Sequence, residues 1–317
     1  MRIKKGSHVV ILSTCFIVAV LQTRLQYEMG KSMSKKKTYS NWFFAPAMVI
    51  FLIFFIVPLI MGFYFSLTVW DFNGATFVGL DNYKMFFSER SLNISIRNTL
   101  VYAVLTSALK TVLSFFIAIF LTSAIRTKNM IRSIVFFPNL VSAIVVGITF
   151  STFMNYSKGL FNKIIGLFGA TGVDWLGEPS VALYSVIWTD VWKGLSIATV
   201  IFVSGIVSID KTFYEAASID GANGWQKMKS ITMPLCRPAM NSIIILSFIG
   251  GLRSFELIWS MTGGGPGFAT DVLSSVIYKQ YASGFYGIST AGNVIMLVLV
   301  SLLAFPLQKF LLSKEVD

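Results

Sequence analysis

Charge is scarce in this chain, and so are the residues that carry most enzyme and metal chemistry. Asp, Glu, Lys and Arg make up 13% of the 317 residues, against about 25% in a soluble domain. There is one histidine, His8, and the only two cysteines, Cys15 and Cys236, lie far apart in unlike contexts. No CxxC or His/Cys cluster occurs, so neither a metal site nor a disulfide framework is indicated. No Ser/His/Asp set, HExxH motif or paired-carboxylate cluster is present, and nothing calls for a cofactor. Those absences argue against an enzyme.

Apolar residues dominate instead, at 55% of the chain with a mean hydropathy of +0.72. Too little polar surface remains to cover a soluble globule of this size, and the bilayer is the solvent that fits. The net charge of +12 would suit nucleic acid, but the Lys and Arg residues fall in gaps between apolar runs and build no basic face. No nucleic-acid partner is expected.

A membrane span needs about 20 apolar residues. Six runs qualify: Trp42–Leu67, Asn98–Ile125, Ile131–Met154, Val181–Val207, Met240–Met261 and Ile288–Leu312. They lack period-2 alternation, so they read as helices and not as barrel strands. The expected fold is an all-α membrane protein with six transmembrane helices. With Lys35, Lys36 and Lys37 inside, the inner loops hold twelve basic residues and the outer loops six. That bias places both termini of the six-span core in the cytoplasm. Trp42, Trp70, Trp175 and Trp259 fall near span ends, as an aromatic belt would.

Residues 1–32 fit this scheme poorly. Val9–Leu21 is apolar but only 13 residues long. As a signal-peptide core it would leave the new N-terminus outside, against Lys35–Lys37. As a span it is too short and has basic residues on both flanks. The third reading is an upstream extension, with translation beginning at Met33. On that reading residues 33–317 form the transmembrane domain.

The loop between the fourth and fifth spans, residues 208–238, carries the most specific signal. It contains Glu215-Ala216-Ala217-Ser218-Ile219-Asp220-Gly221-Ala222 and then Ile231-Thr232-Met233-Pro234. Tyr214–Ala217 reads as helix, Gly221 permits a tight turn, and Trp225, Met228 and Ile231 share one side of a second short helix. Pro234 and Pro238 break the chain before the fifth span. On physical grounds this is either a docking knob for a soluble partner or an ordinary loop on the membrane surface.

The segment resembles the EAA loop of binding-protein-dependent ABC permeases: E-A-A, three residues, G, nine residues, I-x-L-P. Glu215, Ala216, Ala217, Gly221, Ile231 and Pro234 meet that spacing, and Met233 stands where Leu is usual. Met261-Thr262-Gly263-Gly264-Gly265-Pro266 resembles the T-x-G-G-P turn of the maltose-type subfamily. The resemblance covers roughly residues 40–315. It implies a permease subunit of an ATP-driven importer of oligosaccharides or related sugars. The implied partners are a second, related permease, a pair of ATP-binding subunits that hydrolyse ATP, and an extracytoplasmic solute-binding protein. Glu215, Ala216, Ala217, Asp220 and Gly221 would couple to the ATP-binding subunit. Gly263–Gly267 is no P-loop, because Phe268-Ala269-Thr270 follows where GK[ST] is required.

Five ionisable residues lie in the interior of the proposed spans, away from their ends: Lys110, Asp190, Lys193, Arg253 and Glu256. Such residues face a bundle interior or an aqueous cavity. Asp190 with Lys193, and Arg253 with Glu256, are spaced i, i+3 and can pair on one helix face. Either they line a path or they neutralise each other within the packing; Lys110 stands alone. Counting outward from Glu215, the resemblance places sugar-lining positions at Asp190, Lys193, Gly194 and Ile197, and at Ser247, Gly251 and Ser254. Each set forms a single helical stripe, although Gly194 and Gly251 equally suit plain helix packing. Trp188 and Trp192 offer stacking surfaces, Trp192 the less favourably because it points away from Asp190.

A secondary transporter would need an internal repeat and coupling groups, and would leave the EAA loop unexplained. Glycerol phosphates and polyols remain alternative solutes. If residues 1–32 are dispensable, a chain starting at Met33 inserts, assembles and transports as the full chain does. Loss of membrane insertion, read by fractionation, would make Val9–Leu21 a working element.

Overall fold

The computed structural model describes residues 41–71, 74–123 and 128–313. Val9–Leu21, Lys35–Lys37, Arg126 and Lys314 lie outside them. The chain enters through helix α1 (Trp42–Ser66), which contains a π-helical turn at Leu52–Ile56. A short antiparallel hairpin of β1 (Thr68–Trp70) and β2 (Ala75–Phe77) follows, a small departure from an all-helical chain. Helices α2 (Asp81–Phe87), α3 (Leu92–Thr122), α4 (Lys128–Leu140), α5 (Ala143–Phe153), α6 (Leu160–Leu167) and α7 (Pro179–Val207) come next. Helices α8 (Lys211–Ile219), α9 (Gly224–Leu235), α10 (Arg237–Leu252), α11 (Glu256–Thr262), α12 (Leu273–Ala282) and α13 (Tyr286–Ser313) complete the described chain.

Four of these helices, α1, α3, α7 and α13, are single rods long and apolar enough to cross a membrane. The count becomes six if each of two bent pairs is one span: α4 with α5, which meet at 101°, and α9 with α10, at 66°. The proposed third span is therefore not straight. Pro138 sits in the last turn of α4, and Ser142 is extended (φ −56°, ψ 144°), so the helix cannot run through. The proposed fifth span is also interrupted. Helix α10 stops at Arg253, Phe255 leaves helical geometry (φ −140°, ψ −58°), and α11 begins at Glu256. Arg253 and Glu256 consequently do not share one helix face.

Helix α3 shows why the chain needs a bilayer. Its buried face carries Ser95, Thr99, Thr106, Ser107, Lys110, Thr111 and Ser114, whereas Val104, Val112, Phe116 and Phe120 point outward. A soluble core has the opposite pattern. Buried hydroxyls are tolerated because each finds a carbonyl: Thr99 Oγ1 donates to Ser95 O (2.6 Å), Thr106 to Tyr102 O (2.7 Å) and Thr111 to Ser107 O (2.7 Å). Ser107 Oγ donates instead to Ile244 O of α10 (3.0 Å), tying two helices together. Small polar residues at such contacts let backbones approach closely.

Helix α3 is the central rod, flanked by α7 and α10. One core cluster joins Tyr102, Val146, Val186, Val191, Leu257 and Ile258 across α3, α5, α7 and α11. A second joins Phe86, Leu252, Leu273, Val276 and Met296, and a third Phe115, Phe202 and Ile243. Helix α1 is the exception: none of its apolar window is buried within the chain. Expected belt tryptophans also make contacts within the chain. Trp175 Nε1 donates to Asn162 Oδ1 (2.9 Å), and Trp70 packs, tilted, between Phe65 and Tyr286 (4.8 and 5.1 Å).

Glycine contacts allow a direct test of the packing. A Cβ on Gly147 of α5 would sit 1.8 Å from Ser260 Oγ of α11, whereas one on Gly62 of α1 would meet nothing within 4 Å. Gly147→Val is expected to cost about 1–3 kcal/mol through overpacking and to lower the thermal midpoint in detergent. Gly62→Ala should leave it unchanged or raise it slightly, since alanine is the better helix former. Equal midpoints for the two variants would contradict the α5–α11 contact.

Candidate functional site

The loop residues 208–238 fold as a helical hairpin. Asp210 caps α8 by accepting from the Thr212 backbone N–H (3.0 Å). Its hydrogen bonds from Thr212, backbone first and then side chain, hold the carboxyl below the usual aspartate range. The helix ends at Gly221, whose φ of +77° lies in the left-handed region where side chains are strained. There Ala222 N–H returns to Ala217 O (2.9 Å). Asn223 and Gln226 then form a reciprocal capping box that starts α9. Lys227 Nζ donates to Ser218 Oγ (2.6 Å), and Tyr214 Oη meets Thr232 Oγ1 (3.0 Å), bracing the two arms.

Glu215, Ala216, Asp220 and Gly221 are exposed, and Ala217 is half-buried. Ile219 at the tip is 88% exposed, which a free-standing surface loop would avoid. The expected stripe of Trp225, Met228 and Ile231 is only partly formed. Trp225 is exposed while Met228 and Ile231 are half-buried, because the π turn at Met228–Thr232 shifts the register between them. No neighbour lies within 4 Å of a Cβ built at Gly221, so the backbone angle and not crowding within the chain demands glycine there.

The membrane interior rearranges the expected pairs. Asp190 does not pair with Lys193. Its Oδ2 accepts from Lys110 Nζ of α3 at 2.7 Å, so Lys110 is not solitary. Lys193 Nζ donates to Val141 O (2.8 Å) and Pro138 O (3.5 Å), the carbonyls freed where α4 gives way to α5. Ser196 Oγ adds a bond to Val135 O (2.7 Å). A cation at a helix C-terminus is favourable both for the dipole and for the orphan carbonyls.

Both glycines of the proposed stripes serve close contacts. A Cβ on Gly194 would lie 2.3 Å from Lys110 Cε, so Gly194 is the slot through which the lysine reaches Asp190. A Cβ on Gly251 would lie 2.6 Å from Ala103 Cα, so that position faces α3 and not an opening. Ile197 is 52% exposed, and Ser247 and Ser254 are half-buried. Tyr102, fully buried, lies beside Asp190 and Ser254, with no hydrogen-bond partner for its hydroxyl among the described residues. Sequence reasoning missed Tyr102 and left Lys110 unassigned; the i, i+4, i+8 spacing of Tyr102, Thr106 and Lys110 on α3 was the signal available. Trp188 is exposed, and Trp192 packs on Phe150 (5.0 Å) away from Asp190. An apolar groove of about 400 Å³ lined by Tyr83, Phe87, Leu100, Val294, Val298 and Leu302 contains none of these residues.

The turn after α11 is a rigid element. Asn98 Nδ2 donates to Ala269 O (2.9 Å) and Asp271 O (3.0 Å), and Lys279 Nζ binds both oxygens of buried Asp271 at 2.8 and 2.7 Å.

Residues 110–315 match the model for the binding-protein-dependent transport system inner membrane component. The trehalose/maltose transport system permease protein MalF of Thermococcus litoralis is 36% identical over 257 residues, covering 80% of this chain and 87% of that protein. The multiple sugar-binding transport system permease protein MsmF of Streptococcus mutans is 30% identical over 273 residues, covering 84% and 93%. Among solved structures, a bacterial ABC transporter involved in the import of the acidic polysaccharide alginate superposes with a TM-score of 0.74 at 22% identity, over 93% of this chain and 98% of that one. Hydrolysis of ATP belongs to partner subunits in this family, and the chain itself is a multi-pass membrane component with no enzymatic role. With the motif spacing, the helical hairpin and the family match in agreement, the chain belongs to the inner membrane components of binding-protein-dependent transport systems.

Proposed function

We propose that this chain is the permease subunit of an ATP-driven importer that moves an oligosaccharide or related sugar, received from an extracytoplasmic solute-binding protein. The relatives named for trehalose, maltose and multiple sugars support the substrate class. The chain pairs with a second, related permease and a pair of ATP-binding subunits. Helices α4 with α5, and α10 with α11, each cross the membrane once, making six spans in residues 33–317, with both core termini cytoplasmic.

One observation carries the reading: the EAA segment stands on an exposed, braced helical hairpin. A small, rigid knob with Glu215, Ala216, Ala217, Asp220 and Gly221 on its surface fits a groove on a soluble subunit. Strain introduced there passes through the Tyr214–Thr232 contact towards α10. The path for sugar runs beside Asp190, Ile197, Ser247 and Ser254. Gly194 and Gly251 shape it by admitting Lys110 and α3, and Lys193 braces the break between α4 and α5. Hydroxyl-lined helix breaks near the middle of a membrane suit a polar solute, because freed backbone groups and side chains can bond its hydroxyls.

The test is Gly221→Asp. The substitution forces a side chain into left-handed geometry and adds bulk at the tip. The variant should remain in the membrane and lose uptake together with sugar-stimulated ATP hydrolysis by the assembled complex. Full uptake with normal coupling would refute the docking role.

A further inference from the structure

We propose that Lys110 is a specificity-determining residue of the sugar path, which fits Asp190 to hydroxyl groups and makes the site select uncharged glycans over uronates. The inference rests on the reading above that Asp190 borders the path.

The geometry supports it in three ways. First, Lys110 occupies only one carboxylate oxygen. Its Nζ lies 2.7 Å from Oδ2, while Oδ1 accepts no hydrogen bond among the described residues. Second, a further hydroxyl stands beside the carboxylate. The Tyr102 hydroxyl is buried and unpartnered among the described residues, and it lies beside both Asp190 and the Ser254 side chain. A buried hydroxyl without a partner is costly. A carboxylate with a hydroxyl beside it suits the donor-and-acceptor hydroxyls of a sugar. Third, the arrangement is built. Lys110 threads past Gly194, where any Cβ would collide with its stem, to reach across from α3 to α7.

The charge balance follows. Lys110 is neutralised by Asp190, and Lys193 is spent on the carbonyls of Val141 and Pro138. Neither lysine is available to a carboxylate on the substrate, and Asp190 repels one. Removing the Asp190 charge would release Lys110 as a cation in a region of low dielectric, where it would attract an acidic glycan.

The experiment uses the assembled transporter in lipid nanodiscs. Cys15→Ser and cysteine-free partner subunits remove background thiols; Cys236 is already buried. Ile197→Cys reports on the path, since Ile197 lies on the Asp190 stripe of α7 and is exposed. The reading is the rate at which a water-soluble maleimide modifies the introduced thiol. Maltotriose, trehalose and arabinotriose serve as neutral probes and digalacturonate as the acidic probe.

With Lys110 and Asp190 intact, at least one neutral probe should slow labelling and digalacturonate should not. In Asp190→Asn, neutral protection should weaken by about tenfold, the loss of one hydrogen bond to a charged group, and digalacturonate should begin to protect. Lys110→Met combined with Asp190→Asn should abolish the acidic protection and restore part of the neutral protection. If Asp190→Asn leaves the preference between neutral and acidic probes unchanged in an assembled complex, Lys110 is only a packing residue and the proposal fails. It fails equally if the thiol introduced by Ile197→Cys labels readily and no neutral probe protects it. If that thiol never labels in a transporting complex, the path reading itself is refuted, a separable result.

Discussion

Hydrocarbon offers no hydrogen bonds, so every backbone N–H and C=O inside the membrane must be satisfied by the protein. The arrangement of this chain depends on that constraint. Four rods meet it by being continuous helices. The helices around the α4–α5 and α10–α11 junctions are broken, and there side chains take over the work. Lys193 of α7 serves the carbonyls freed at the α4–α5 break, and Ser196 bonds Val135 O one turn earlier in α4. Ser274 donates to the Ser254 carbonyl at the α10–α11 break. Asn98 of α3 collects three carbonyls of the turn beyond α11. Part of the polar interior therefore gathers where the helices fail, and the rest lines the unbroken helix α3.

The same constraint explains the choice of α3 as the central rod. A helix that must contact α7 and α10 closely gains from small residues on its buried face, set there between Tyr102, Phe115 and Leu121, and it cannot rely on hydrophobic driving force between helices in lipid. Hydroxyls that bond back to their own turn cost little and keep the surface narrow. Into that narrow face the chain places one long charged residue, Lys110, and accommodates it only by leaving Gly194 bare. The ion pair with Asp190 follows from this spacing. It joins the helix that leads into the exposed hairpin to the helix at the centre of the bundle.

Much of this organisation is legible in sequence. The spans of α1, α3, α7 and α13 are readable because long apolar runs leave few alternatives in lipid, and the hairpin because its motif is local. Gly221 reads as a turn residue, and it is one, though for its backbone angle more than for crowding. The two breaks escape a reading of this kind. Pro138 is an ordinary helix-breaking signal that the apolar run around it masks, and Phe255 carries no breaking signal at all.

The amino-acid sequence by itself determined the bilayer as solvent, the location of the apolar segments, the family and the Glu215–Gly221 motif, because each depends on composition or on residues close together in the chain. Tertiary structure alone decided the partners of the interior charges. Spacing of i, i+3 suggested Asp190 with Lys193, yet Asp190 bonds Lys110, 80 positions away in sequence, and Lys193 bonds a helix end 52 positions away. Buried charges pair with whichever opposite group the packing brings within hydrogen-bonding distance, and that distance is set by how helices cross, which no local pattern encodes.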